Sequence, residues 1–146
     1  MKPTDLTTRR RGKTILIADD DPDVVDVLAR RCRGLGLNVL TAGDAFTALA
    51  TVKVQRPDFV CLDVSMPGGN GLSACEMLVN DEDCGSIPIM ILTGSTDHDT
   101  IRRCHQMAAY YIEKCPNVWT RVGPLLQELL EDSQAACPGA QPKRAQ

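Results

Sequence analysis

The sequence predicts an α/β fold in which five parallel β-strands form one sheet with helices on both faces, a (βα)5 arrangement. Short apolar runs alternate with helical patterns five times along the 146 residues, and several of these runs end in a polar or charged residue. Because right-handed crossovers join parallel strands, successive helices are placed on the two faces of the sheet. The functional crevice of such a sheet lies at the carboxyl ends of its strands.

The predicted elements follow from periodicity and from turn residues. The apolar, β-branched-rich runs predict strands at 14–18, 37–42, 59–63, 88–93 and 110–113. Apolar residues at helical spacing predict helices that cover about 22–34, 44–54, 72–79, 96–107 and 118–131. Pro22 suits the first turn of its helix, and Pro57 explains why the second helix stops before it.

A single compact domain at residues 14–131 accounts for nearly all of the chain, because 43% hydrophobic residues suffice for one core. Residues 1–13 contain five basic residues and read as a flexible basic leader. Residues 132–146 contain Pro138, Gly139 and Pro142 and are predicted to be a disordered tail.

Charge and cysteine content restrict the function classes. The formal net charge is -3, and the basic leader carries +4, which leaves -7 on the other residues. Such an acidic body argues against a nucleic-acid partner. Seven cysteines without a C-x-x-C pattern indicate reduced thiols, and the sequence has no apolar run long enough to cross a membrane. We therefore expect a cytoplasmic protein with neither a nucleic-acid nor a membrane partner.

Polar residues stand at the ends of four predicted strands. Asp19 and Asp20 follow the first strand, Asp63 ends the third, Thr93 ends the fourth and Lys114 follows the fifth. Because the carboxyl ends of parallel strands meet at one edge of the sheet, these residues are expected to converge there.

Carboxylates that converge repel one another, and a divalent cation relieves that repulsion. Oxygen ligands with retained water suit Mg²⁺, for which Asp20, Asp63 and the backbone carbonyl of Ser65 would be sufficient. The metal would leave one Asp63 oxygen able to attack a phosphoryl group. Lys114 would supply a further positive charge, and the hydroxyl of Thr93 would donate to a phosphate oxygen.

Four segments, in order, resemble the receiver domain of two-component response regulators. They are ILIADDDP (15–22), CLDVSMPGGNG (61–71), ILTG (91–94) and YYIEK (110–114). In this family they correspond to the acidic pair after the first strand, the phosphoacceptor segment, the switch threonine, and an aromatic residue with a lysine. The resemblance covers about residues 13–131.

The resemblance implies a flavodoxin-like fold and Mg²⁺-dependent transfer of a phosphoryl group to Asp63 from a sensor histidine kinase or a phosphotransfer protein. Asp20 would be a direct metal ligand, and Asp19 would act through water. Thr93 and Tyr111 would form the switch that remodels the surface of the fourth helix, fifth strand and fifth helix. A downstream protein would read this surface, through which relatives also form homodimers.

One segment departs from the family pattern. The family has a proline directly after the lysine, whereas here Lys114 is followed by Cys115 and only then by Pro116. A cis peptide bond, common at the family's proline, would therefore move to the Cys115–Pro116 bond.

Two other functions remain open from the sequence. An aspartyl-nucleophile phosphatase of the haloacid dehalogenase type normally has a second acid two residues after the nucleophile, where Ser65 stands. A receiver-like interaction module that works without phosphorylation would be consistent with the altered turn after Lys114. The expected function is a signalling switch and not a metabolic enzyme. The short tails favour a stand-alone, chemotaxis-type receiver over the alternative, the excised receiver of a longer chain.

Overall fold

The computed structural model describes residues 12–66, 69–94 and 98–135, in which strands and helices alternate. The main strands are β1 (Thr14–Ala18), β2 (Asn38–Ala42), β3 (Phe59–Asp63), β4 (Ile89–Thr93) and β5 (Tyr110–Glu113). The helices are α1 (Pro22–Gly34), α2 (Ala45–Gln55), α3 (Gly71–Val79), α4 (His98–Gln106) and α5 (Trp119–Ala135). The predicted order of elements is confirmed, with boundaries that shift by a few residues.

The five main strands form one parallel sheet in the order β2-β1-β3-β4-β5. In the register of this sheet, Ala18 lies opposite Leu62 and Asp63 lies opposite Leu92. The last residues of β1, β3 and β4 therefore lie at the same edge, and residues that follow these strands emerge together.

The sheet separates two buried clusters of apolar side chains, because successive residues of a strand point to opposite faces. One cluster joins Leu16, Leu62 and Ile91 of the sheet to side chains of α2, α3 and α4. The other joins alternate strand residues to α1 and α5. Among the described residues six cysteines have free thiols, five of them buried, as expected for thiols that serve as small apolar side chains.

Helix starts have local causes. Asp21 accepts a hydrogen bond from the backbone N–H of Asp23 and so caps α1, with Pro22 in its first turn. Asp44 caps α2 by accepting from the N–H of Thr47 at 2.7 Å. Asn70 caps α3 through the N–H of Leu72 at 2.6 Å. These three caps fix where the chain turns back from the functional edge of the sheet.

The structure differs from the sequence prediction in two places. Ser65–Met66 and Gly69–Asn70 form a two-residue antiparallel ribbon after β3, because the loop doubles back on itself. Helix α5 continues to Ala135, beyond the predicted end at residue 131, since no proline or glycine stands between residue 131 and Pro138. Residues 1–11 and 136–146, which include most of the predicted leader and tail, lie outside the described residues, as do residues 95–97 at the predicted start of the fourth helix.

Within the described ranges, no helix is both long enough and apolar enough to span a lipid bilayer.

Candidate functional site

Three carboxylates meet at the carboxyl edge of the sheet. Oxygen atoms of Asp19, Asp20 and Asp63 lie within 4.8 Å of one another. Asp63 ends β3 and is 4% exposed, and Asp19 follows β1 and is 2% exposed. Asp20 is exposed to solvent. The predicted convergence of these acids is present in the structure.

The three consecutive acids after β1, Asp19 to Asp21, have different surroundings. Asp19 turns inward, and one of its carboxylate oxygens accepts a hydrogen bond from the N–H of Asp21 at 2.9 Å. Asp21 caps α1 and is therefore engaged with its own helix. Asp20 remains the member of the run that presents its carboxylate at the solvent side of the cluster.

Lys114 places a positive charge between the two buried acids. Its Nζ lies 2.9 Å from Oδ2 of Asp19 and 3.4 Å from Oδ1 of Asp63. Oδ2 of Asp19 is fully buried and has no hydrogen bond of regular geometry among the described residues, so its contact with the ammonium group is ionic. From the sequence, Lys114 was expected to contact the phosphoryl group, whereas its close contact with Asp19 was not predicted.

The altered turn after Lys114 leaves the lysine in reach of the site. The N–H of Lys114 donates to the carbonyl of Thr93 at 2.8 Å, which continues the pairing of β4 with β5 by one residue. The peptide bonds of the described residues are all trans, including Cys115–Pro116. The extra cysteine thus moves the proline without moving the lysine.

Burial and charge act on the ionisation of Asp63. Loss of water contact raises its pKa to about 6, and the neighbouring charge of Asp19 acts in the same direction. Lys114 and the N–H of Ser65, which donates to the carboxylate, lower the pKa and offset part of that rise. For Lys114, burial alone would lower the pKa, but its contacts with Asp19 and Asp63 outweigh burial and the pKa is raised.

The other predicted site residues occupy positions around this cluster. Thr93 ends β4, is 2% exposed, and is one residue beyond the partner of Asp63 in the sheet. Ser65 is exposed at the start of the two-residue ribbon. Tyr111 lies opposite Ile91 on the edge strand β5, and its half-buried side chain packs against the buried apolar cluster beneath α2, α3 and α4.

Gly71, the last residue of the CLDVSMPGGNG motif, is a structural requirement of the site that was not predicted from the sequence. A Cβ atom at this position would lie 2.1 Å from the backbone oxygen of Asp63. The N–H of Gly71 donates to the carbonyl of Val64 at 2.9 Å, so the loop closes directly over the end of β3. The close approach of two backbones excludes any side chain here.

The chain is similar to proteins named as response regulators and as transcriptional regulators. The chain is 41% identical over 91 residues to "DNA-binding response regulator MtrA" of Mycolicibacterium smegmatis, a match that covers 62% of this chain and 37% of that protein. It is 36% identical over 80 residues to "Probable transcriptional regulatory protein TcrX" of Mycobacterium tuberculosis, with 55% and 33% covered. The match thus spans little more than a third of the length of these relatives.

Solved structures of receivers share the fold. The signal receiver domain of a DNA-binding response regulator from Colwellia psychrerythraea has 26% identity and a TM-score of 0.75, with 82% of this chain and 98% of that chain covered. The response regulator TrrA from Thermotoga maritima, solved in complex with Mg²⁺ and beryllium fluoride, has 25% identity and a TM-score of 0.71, with 80% and 98% covered. The predicted flavodoxin-like receiver fold is confirmed.

The names of these relatives overturn one prediction. The exclusion of nucleic acid was wrong, because the relatives are DNA-binding response regulators. The physical reason is that net charge was read from a segment that corresponds to little more than a third of those proteins, so it carries no information about the rest of them. The stand-alone, chemotaxis-type arrangement is not confirmed by these matches and stays a prediction.

The family itself is identified by a match over most of the chain. Residues 15–118 match the sequence profile of the response regulator receiver domain. This range includes the three acids, Lys114 and all of the five-stranded sheet except its first residue, Thr14. The chain therefore belongs to the response regulator receiver domain family, and it is a phosphorylation-dependent component of two-component signalling.

Proposed function

We propose that Asp63 accepts the phosphoryl group and that the surrounding residues assist the transfer and report it. The observation that carries this proposal is the convergence of Asp19, Asp20 and Asp63 within 4.8 Å, with Lys114 in contact with the two buried acids. A carboxylate that is buried, held by a lysine and close to other acids has the surroundings of a nucleophile that works with a metal.

The same residues fit a Mg²⁺ ion. Three carboxylates lie close together, and two of them contact the single lysine. Burial and then the charge of Asp19 raise the pKa of Asp63, and Lys114 offsets only part of that rise. Asp20, Asp63 and the carbonyl of Ser65 would hold the ion directly, with Asp19 acting through water, and all of these ligands are oxygen atoms. When bound, Mg²⁺ would neutralise charge on the incoming phosphoryl group. The Mg²⁺ and beryllium fluoride complex of TrrA supports this assignment.

The transfer step follows from the positions of the side chains. A carboxylate oxygen of Asp63 attacks the phosphorus of a phosphohistidine on a sensor kinase or phosphotransfer protein. The new P–O bond forms as the P–N bond breaks, and the imidazole leaves with the bonding electron pair. Lys114 stabilises negative charge on the transferred group by a direct ionic contact. Thr93, buried on the strand next to Asp63, donates its hydroxyl hydrogen to a phosphate oxygen.

A switch would connect this site to the surface. Thr93 and Tyr111 lie on the adjacent strands β4 and β5, where Ile91 pairs with Tyr111 and Thr93 pairs with Glu113. Movement of Thr93 towards the phosphate changes the space available to the half-buried ring of Tyr111. The surface formed by α4, β5 and α5 would then differ between the two states, and a downstream protein would read that difference.

The names of the relatives favour a DNA-binding protein as the output. MtrA is named as a DNA-binding response regulator and TcrX as a probable transcriptional regulatory protein. The phosphorylation state of this receiver would therefore control a DNA-binding activity, located either on the same polypeptide or on a separate one. We propose residues 14–131 as the receiver, followed by the end of α5. A flexible leader, a disordered tail and a cytoplasmic location stay predictions.

The test is phosphorylation by a small acyl phosphate in the presence of Mg²⁺, followed by intact mass measurement. The wild-type protein is expected to gain the mass of one phosphoryl group, and the gain should disappear when Mg²⁺ is chelated. Asp63→Asn should gain nothing, because an amide oxygen is a poor nucleophile. Glu82→Gln, which changes an exposed acid outside the cluster, is the matched control and should behave as the wild type.

Three outcomes would count against the proposal. An equal mass gain on Asp63→Asn would show that another residue is modified. No gain on folded wild-type protein would favour an interaction module that works without phosphorylation. Steady turnover of a phosphomonoester would favour the phosphatase.

A further inference from the structure

Asp19 is held in place by its own backbone and by one of its carboxylate oxygens. Its backbone N–H donates to the carbonyl of Ala42 at 3.1 Å, which ties it to β2. Oδ1 of the carboxylate accepts a hydrogen bond from the N–H of Asp21 at 2.9 Å. The side chain is fully buried, and the second oxygen, Oδ2, lies 2.9 Å from Nζ of Lys114. Asp19 is therefore a fixed carboxylate with one oxygen directed at the lysine.

The side chain of Lys114 depends on such an anchor. Its backbone is fixed by the hydrogen bond to the carbonyl of Thr93, but the ammonium group stands at the end of a flexible four-carbon stem. The next residue is Cys115, so the rigid ring of Pro116 restrains the backbone only one residue later. An ionic contact at the far end of the stem restricts the positions that the ammonium group can take.

The two acidic contacts of Lys114 are unequal. Nζ lies 2.9 Å from Asp19 and 3.4 Å from Asp63. Close contacts between a charged donor and a carboxylate are about 2.7–2.9 Å long, so the closer partner of the lysine is Asp19. Lys114 thus stands beside the nucleophile without binding it tightly. A tighter pair with Asp63 would hold the carboxylate oxygen that has to attack phosphorus.

The neighbouring acid has a different position. Asp20 is exposed to solvent and, within the part of the chain that the structure describes, makes no ion pair with Lys114. Its carboxylate is accessible to an ion from solvent, whereas that of Asp19 is enclosed beside the lysine. The two consecutive acids therefore differ in which cation they can serve.

We propose that Asp19 is a positioning residue that holds the ammonium group of Lys114 where it meets the phosphoryl group on its way to Asp63. This inference rests on the proposed function of Asp63, and it adds to the contact of Asp19 with a metal-bound water. Without the Asp19 carboxylate, the ammonium group would pair closely with Asp63 or turn to solvent. In either position it would stabilise the transferred group less well.

The first test compares phosphorylation rates at Mg²⁺ concentrations that saturate each variant. Acetyl phosphate supplies the group: a P–O bond to Asp63 forms as the P–O bond to acetate breaks, and acetate leaves with the electron pair. Lys114→Met should lower the maximal rate by about a hundredfold. Asp19→Asn should lower it by about tenfold alone, but by less than about twofold in the Lys114→Met background, because the lysine that it positions is then absent. Intact mass at timed intervals measures these rates.

The second test uses neither metal nor phosphoryl group. The wild type, the two single variants and the double variant are unfolded in urea with a chelator present. Asp19→Asn breaks an ion pair when Lys114 is present, so its effect on the urea midpoint should be more negative by about 0.5 M or more than in the Lys114→Met background. Asp20→Asn is the matched control and should change the midpoint by nearly the same amount in both backgrounds.

Asp19→Ala, which removes both carboxylate oxygens, should give the same pattern as Asp19→Asn in both tests, and circular dichroism checks that every variant is folded. Equal effects of Asp19→Asn in the two backgrounds, in either test, overturn the proposal. So does a rate loss that more Mg²⁺ restores completely, because Asp19 would then act through the metal alone. A folded wild type that gains no phosphoryl group contradicts the proposed function of Asp63, while the urea midpoints still decide whether Asp19 holds Lys114.

Discussion

Keeping Asp63 charged lowers the free energy of unfolding of the protein. Its carboxylate is buried beside Asp19, and its pKa is raised from 3.8 to about 6. Between these two pH values the folded protein binds more protons than the unfolded chain. The free energy of unfolding therefore decreases as the pH rises through this window, and Asp63 destabilises the metal-free fold at neutral pH.

Replacing this charge with a neutral side chain of the same shape should stabilise the metal-free protein. Asp63→Asn is expected to raise the free energy of unfolding by about 1–2 kcal/mol at pH 7.5, after a discount for solvent screening, since the pKa of about 6 already includes the opposing effect of Lys114. The gain should shrink towards pH 4, where Asp63 of the wild type is itself largely protonated. Urea unfolding with chelator at the two pH values measures both quantities.

The matched control for this measurement is Glu82→Gln, which removes an exposed charge and should change stability little at either pH. Lower stability of Asp63→Asn at neutral pH would show that the ion pair with Lys114 outweighs burial.

Among the secondary-structure elements, those marked by hydrophobic periodicity and by chain-breaking residues were predicted from the sequence. The bounds of β3 and β5 agree with the prediction, because each is a short apolar run flanked by polar residues or turns. The two-residue ribbon after β3 was not predicted, since two residues are too few to show an alternating pattern. The end of α5 was placed too early because the polar residues after 131 resemble a tail as much as a helix surface.

The site was predictable to a similar extent. Strand ends brought the three acids and Lys114 to one edge, which parallel topology alone requires. The ionic contact of Lys114 with Asp19 was not predictable, because it depends on side-chain directions that the sequence does not encode locally. The same is true of the position of Gly71 directly against the backbone of Asp63.

The start of α3 can lie directly against the end of β3 because Gly71 has no side chain. Gly71→Ala is expected to lower the free energy of unfolding by about 2–3 kcal/mol, because the new methyl group meets backbone, which yields less than a side chain. The backbone movement that relieves this clash would also displace Asp63 and reduce its phosphorylation by an acyl phosphate. Thermal unfolding and intact mass measure the two effects.

Gly34→Ala serves as the comparison for Gly71→Ala. Gly34 ends α1, and a Cβ there meets nothing within 4 Å, so this change should be neutral or slightly stabilising. Equal stability of the two alanine variants would contradict the packing seen around Gly71.

For the whole molecule, the sheet connects the site to both apolar clusters. Residues of β1, β3 and β4 contribute to the cluster under α1 and α5 and to the cluster under α2, α3 and α4. The acids follow or end two of these central strands, so repulsion among them acts on the centre of the fold and not on a peripheral loop. Relief of that repulsion by a bound cation should accordingly stabilise the whole domain.

Mg²⁺ is therefore expected to raise the global stability of the wild-type protein by about 2.7 kcal/mol at a concentration 100 times its dissociation constant. Thermal unfolding at increasing Mg²⁺ concentration measures this shift, with the ionic strength held constant by a monovalent salt. Asp20→Asn and Asp63→Asn should lose most of the shift, because each removes a negatively charged ligand, whereas Glu82→Gln should keep it. An equal shift in all four proteins would mean that Mg²⁺ acts by screening surface charge, and the acidic cluster would then have no role as a metal site.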